Sequence, residues 1–183
     1  MTTENGSIHL LAVCGSLRRS STNLALLEAA ALLVPEGVSV ESYSLAALPL
    51  FNPDLEDDMP EAVREWRVAV ARADGLLISS PEYARGVSGV MKNALDWLVS
   101  GPEFVGKPIA QLVASTRSEF APEQLARTLR TMSGVVVDAA SVTVPLLGSA
   151  RDGATIAADP AFAAPLRAAL DAFTAAIVAA RKI

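Results

Sequence analysis

IHLLAVCGSLRRSSTN, residues 8–23, sets a continuous apolar run directly against four hydroxyls, two arginines and an asparagine. An apolar run of this length, stopped by a glycine, reads as a strand buried on both faces. Leu24–Val34, whose only charge is Glu28, then reads as a helix. A strand that enters a helix through a polar loop is the first β/α unit, and the rest of the chain is read outward from it.

The alternation repeats. Val38–Tyr43 (VSVESY) alternates like a strand, and Glu61–Ala73 sets Val63, Trp66, Val70 and Ala73 at helical spacing. Gly75–Ser80 (GLLISS) is again a buried-type strand, and Gly89–Val99 is helical with Lys92 and Asp96 one turn apart. Lys107–Ser115 is a fourth strand, Pro122–Met132 an amphipathic helix, and Val135–Val144 a less regular fifth strand. Asp159-Pro160 is a capping residue followed by a helix-starting proline; beyond it Leu166, Leu170, Phe173 and Ile177 share one face of a closing helix. Five strands, each followed by a helix, predict an α/β fold with a parallel sheet covered on both faces. No repeat or linker divides the chain, so residues 1–183 are expected to form a single domain.

Composition narrows the function classes. A chain of 183 residues that is 51% hydrophobic, with 15 Lys and Arg against 20 Asp and Glu, is globular with a net charge of −5. That balance disfavours non-specific attraction to nucleic acid or anionic membrane. The polar N-terminus lacks a signal-peptide plan, and the single cysteine cannot form an internal disulfide, so a cytoplasmic setting is expected. Any anion must be bound locally.

In a doubly wound sheet, ligands sit beyond the carboxyl ends of the strands, where the strand order reverses. With the five strands in order 2-1-3-4-5, the loops after the first and third strands converge. The first, GSLRRSSTN, opens a helix, so its backbone N–H groups point outward at the positive end of the helix dipole. Ser16, Ser20, Ser21 and Thr22 add hydroxyls, Asn23 an amide, and Arg18 or Arg19 a charged fork. The stretch has neither the lysine of a triphosphate-binding P-loop nor the glycine spacing of a dinucleotide fingerprint, and it suits a terminal monophosphate. The alternative is a helix cap beside solvated arginines.

The pattern G-S-x-R-x-x-S-x-N at 15–23, with P-E-Y at 81–83 and K-N-A-x-D-W at 92–97, resembles the NADPH-dependent FMN reductase family, which includes flavodoxin-like quinone, azo and chromate reductases. The LPLFNPD stretch at 48–54 and the chain length fit as well. The resemblance implies a flavodoxin-like three-layer sandwich that binds FMN and oxidises NADPH or NADH. It implies Ser16, Arg18, Ser21, Thr22 and Asn23 as contacts to the FMN phosphate, with Arg19 outward. Pro81, Glu82, Tyr83, Ala84, Arg85 and Gly86 would lie against the isoalloxazine ring, mostly through backbone, with Gly86 and Gly89 supplying close approach and positive φ. Ser115 is the neighbour contributed by the loop after the fourth strand, with Thr116 beside it, and Arg117 is a candidate for the phosphate of the nicotinamide nucleotide. Other readings are a loop or helix-start ion pair for Glu82 and a packed aromatic for Tyr83.

Two positions depart from the family pattern. Ala84 stands where asparagine is usual, and Ser88 where proline is usual, which leaves Ser88 as a possible N-cap. The resemblance further implies a quinone-like, azo or other small acceptor, a homodimer or homotetramer, and no required catalytic side chain, since the flavin carries the redox chemistry. A flavodoxin-like electron carrier or a flavin binder without rapid NAD(P)H turnover is the other reading. Cys14 and Trp97 read as core, Trp97 also as interface. His9 is the only histidine, and the DLEDD run at 54–58 fits no calcium loop, so no metal is expected.

Overall fold

The computed structural model describes residues 7–146 and 152–181; the N-terminal residues 1–6 lie outside them. Five parallel strand positions form the sheet. β1 (Ile8–Cys14) lies inside it, flanked by the edge strand β2 (Val38–Tyr43) and by the central β3 (Gly75–Ser79), with β6 (Pro108–Val113) beyond β3 and β7 (Val135–Val136) at the other edge. Counting these strands along the chain, the order is the expected 2-1-3-4-5. Ile8 pairs with Val38 on one side of β1, and Leu10 pairs with Gly75 on the other.

Side chains alternate across this sheet because a strand turns successive residues to opposite faces. Leu10, Ala12 and Cys14 pack with α1 (Thr22–Leu33), α5 (Gly153–Ala158) and α6 (Pro160–Ala180). Leu11 and Val13 face the core under α2 (Glu61–Arg72), α3 (Gly89–Asp96) and α4 (Ala121–Thr131). The result is a three-layer sandwich. α6 is long and apolar enough by length and composition to cross a bilayer, but it buries Leu166, Leu170, Phe173 and Ile177 in the core.

Three details differ from the expected pattern. The fifth strand is split: Val135 pairs with Pro108, a 3₁₀ turn at Asp138–Ala140 leaves the sheet, and β8 (Val142–Thr143) returns to pair with Leu112 and Val113. Asp and Ala are weak strand formers, and Ser141 Oγ accepts from the Gln111 N–H across the interruption at 3.2 Å. α5 was not anticipated; it starts on Asp152, whose side chain accepts from Thr155 N. The stretch after β3 is a small antiparallel hairpin, β4 (Glu82–Tyr83) and β5 (Gly86–Val87), where the sequence indicated only a loop.

Candidate functional site

The loop from Gly15 to Ser21 leaves the carboxyl end of β1 at the switch point, between the ends of β2 and β3. Ser21 is the N-cap of α1: its Oγ accepts from Leu24 N at 3.4 Å. Asn23 is buried, and its Oδ1 accepts from Ser79 Oγ at 3.0 Å, tying the first turn of α1 to the end of β3. These two residues shape the loop from beneath. Ser16 is half-buried, and Arg18, Arg19, Ser20 and Thr22 are exposed around it. Arg18 Nε donates to Ser20 Oγ at 3.1 Å, and Arg18 N donates to Ser16 Oγ at 3.3 Å.

The backbone of this loop supplies the more telling feature. The amides of Leu17, Arg19, Ser20, Thr22 and Asn23 donate to no group among the described residues. Free N–H groups at a helix start, ringed by hydroxyls and guanidinium groups, form an anion-binding concavity. A cleft of about 300 Å³ opens on its β2 side, between Ser16–Arg19 and Ser42–Ala46, and no carboxylate lines it. Cys14 lies at the cleft floor, where burial pushes its thiol pKa up and keeps it protonated. This donor set fits the phosphate of FMN.

Across the switch point, the hairpin is fastened on all sides. Ala84 (φ 50°) and Arg85 (φ 61°) are both left-handed, as a two-residue type I′ turn demands. Positive φ was expected at Gly86 and Gly89, but the two residues before them adopt it instead, because the tight turn falls between Tyr83 and Gly86. Glu82 Oε2 accepts from Phe120 N at 2.8 Å and Ala121 N at 2.9 Å, at the start of α4. These bonds hold the Glu82 carboxyl below its ordinary pKa, the Ala121 N–H contributing most. Gln124 Oε1 accepts from Val87 N at 2.8 Å, and the Arg85 guanidinium lies 4.9 Å over the Phe120 ring. Tyr83 is 58% exposed, so it is not a packed core aromatic.

Loop and hairpin meet at one point. Ser88, 1% exposed, caps α3 by accepting from Met91 N and donates to the Gly15 carbonyl at 2.7 Å. Ser80 Oγ lies 3.2 Å from Ser88 Oγ. A Cβ on Gly15 would sit 2.4 Å from Ser80 Oγ, so only glycine permits this approach. The serine at 88 therefore fastens the start of α3, as the N-cap read from the sequence and through its bond to Gly15.

The remaining sequence candidates are scattered more widely. Ser115 lies in the loop two residues past β6, with its Oγ accepting from Arg117 N at 3.1 Å, and Thr116 and Arg117 are exposed. Pro81 is half-buried at the start of the hairpin. Trp97 is buried under the loop after β2, donating to the Pro49 carbonyl and packing edge-on against Phe51. Gln124 was not anticipated from the sequence: it lies on α4, and no local motif links it to Val87.

The profile of the NADPH-dependent FMN reductase family matches residues 8–147. An NAD(P)H-dependent FMN reductase of Pseudomonas aeruginosa is 44% identical over 111 residues, covering 59% of this chain and 60% of that protein. A 2-hydroxy-1,4-benzoquinone reductase of Burkholderia sp is 45% identical over 91 residues, 50% of each chain. The matched stretch thus spans 50–60% of the length of these two relatives. An NADPH:quinone oxidoreductase of Arabidopsis thaliana is 37% identical over 144 residues, covering 75% of this chain and 72% of that one. Among solved structures, FerB, a flavoenzyme NAD(P)H:(acceptor) oxidoreductase from Paracoccus denitrificans, superposes with a TM-score of 0.77 at 25% identity, covering 94% of this chain and 98% of its own.

Proposed function

This chain belongs to the NADPH-dependent FMN reductase family, and from that premise we propose that it is an FMN-dependent oxidoreductase. It takes two electrons from NADPH or NADH and delivers them to a quinone-like, azo or other small acceptor. The run of unpartnered amides at the start of α1, among Ser16, Arg18 and Thr22, is the observation that carries the reading. The relatives' own activities, FMN reduction and benzoquinone reduction, support the same chemistry.

When bound, FMN supplies the redox chemistry, accepting electrons from the nicotinamide nucleotide and releasing them to the acceptor. The chain's residues do the rest. Ser16, Arg18 and Thr22, with the loop amides, would hold the phosphate; Ser21 and Asn23 keep the loop in shape from below. Pro81 to Gly86, with Ser115 nearby, would border the ring. Glu82 acts there at a distance: its carboxylate is engaged by α4, and its effect is to fix the direction of the hairpin backbone. The exposed amides of Ala84 and Arg85 are left to stabilise negative charge. No general acid or base is required of the protein.

Steady-state oxidation of NADPH at several quinone concentrations tests the proposal. Parallel double-reciprocal lines are expected for donor and acceptor that use one site in turn. Flavin-loaded protein that NADPH reduces only over many minutes would be an electron carrier instead, and would overturn the reading.

A further inference from the structure

Gln111 stands apart from the apolar residues around it. Its neighbours Ala110 and Leu112 pack in the core under α1 and α6, so the alternation of β6 turns Gln111 to the opposite face, beneath α4. The residue is 6% exposed. Its backbone N–H is satisfied by Ser141 Oγ, but its side-chain amide bonds to no group among the described residues. An amide buried in this way gives up its bonds to bulk water and gains none in exchange, so it calls for a partner. The amide is not sealed off, and the little accessible surface it keeps lies at a cavity.

That cavity, of about 10 Å³, is bordered by Gln111, by Ile78 and Ser80 at the end of β3, and by Ala121, Pro122 and Leu125 of α4. It has a cause in the sheet. β3 and β6 pair from Leu76 with Ile109 as far as Ile78 with Gln111, and beyond that pair the ladder between them stops. No charged residue lines the space, and its volume is that of a single water. The bonds around Ser80 define what the space accepts. Ser88 Oγ carries one proton and donates it to the Gly15 carbonyl at 2.7 Å, so the 3.2 Å contact between Ser80 Oγ and Ser88 Oγ is donated by Ser80. The Pro81 carbonyl, at 3.4 Å, is the other acceptor for that proton. With its one proton engaged, Ser80 Oγ can only accept, and a further partner must be a donor. Gln111 offers an acceptor in Oε1 and donors on Nε2. A water, which donates and accepts, meets both demands.

We propose that this cavity is a binding site for one ordered water, which donates to Ser80 Oγ and bonds to the Gln111 amide. The water completes a buried chain from β6 through Ser80 and Ser88 to the Gly15 carbonyl, and braces the loop after β1 against the sheet. Gln111 is thereby a positioning residue for that loop. The effect on FMN rests on the function proposed above; the water site does not. A high-resolution crystal structure is expected to show a water about 2.8 Å from both Ser80 Oγ and an amide atom of Gln111. Water-oxygen magnetic relaxation dispersion counts long-lived internal waters in solution. Gln111→Met, close in shape but without the amide, is expected to hold one fewer than wild type. FMN titrated by fluorescence quenching is expected to bind that variant about threefold more weakly, as for one water-mediated bond lost. A wild-type crystal structure with no water between the two side chains overturns the site, whether or not the variant folds. An unchanged water count in Gln111→Met overturns Gln111 as its ligand, and a lost water with unchanged FMN affinity overturns the positioning role. Wild-type protein that holds the water but binds no FMN overturns the function proposed above and leaves the water site standing.

Discussion

The loop after β1 and the hairpin after β3 face the same switch point and use their polar groups in opposite ways. The first leaves five amides, the Thr22 hydroxyl and the Arg19 guanidinium without protein partners among the described residues. The hairpin commits Glu82, Val87, Arg85 and the adjoining Ser88 to the protein's own α4, Phe120 and Gly15. Open donors suit the side that must grip a charged group. Fixed side chains suit the side that must present a backbone surface in one orientation, because preorganised dipoles need no rearrangement when a ligand arrives.

Substitutions can break each side separately. Gly15→Ala, at the junction, is expected to have the largest effect: its Cβ would meet Ser80 Oγ at 2.4 Å and Ser80 Cβ at 2.8 Å. Displacing that packing costs about 1–3 kcal/mol, measurable by urea denaturation, and both loops should shift together. Arg18→Ala removes one open donor, and a loss of FMN affinity of about tenfold or more is expected with unchanged melting behaviour.

Ser88→Pro sharpens the comparison. The backbone at Ser88 (φ −58°) accepts a proline ring, so the variant keeps the backbone turn into α3 but loses both the bond to the Gly15 carbonyl and the cap bond from Met91 N. A destabilisation of about 1 kcal/mol is expected. Glu82→Gln probes the α4 attachment through pH. The Glu82 carboxyl is depressed in the folded protein below its ordinary 4.5, so its contribution is fully present above that value and is lost as the pH falls through the folded value. Acid titrations of stability should therefore be flatter in Glu82→Gln than in wild type. Ala84→Asn should have the smallest effect, a gain of up to about 1 kcal/mol, since asparagine tolerates the left-handed turn that strains alanine.

Local patterns carried much of this architecture. The alternation of apolar runs and helical spacings revealed a parallel sheet covered on both faces, and the two polar loops stood out because they interrupt long greasy segments. Ser21 and Ser88 were legible as helix caps, since capping depends on residues a few positions apart. The split of the last strand was not legible, because Val135–Val144 keeps enough β-branched residues to look continuous and the outward turn depends on Ser141 meeting Gln111. The roles of Asn23 and Glu82 were equally hidden. Asn23 belongs to the cradle motif but turns inward to Ser79, and Glu82 reaches Phe120 and Ala121, partners brought near only by the packing of α4 against the β4–β5 hairpin.

The most direct test of the central claim is an equilibrium titration of FMN fluorescence with wild-type protein and with Arg18→Ala. Quenching that saturates at one FMN per chain in wild type, and moves to about tenfold higher concentration in the variant, is the expected result. Wild-type protein that leaves FMN fluorescence unchanged, or a variant that titrates identically, would contradict the assignment of the β1 loop as the phosphate cradle.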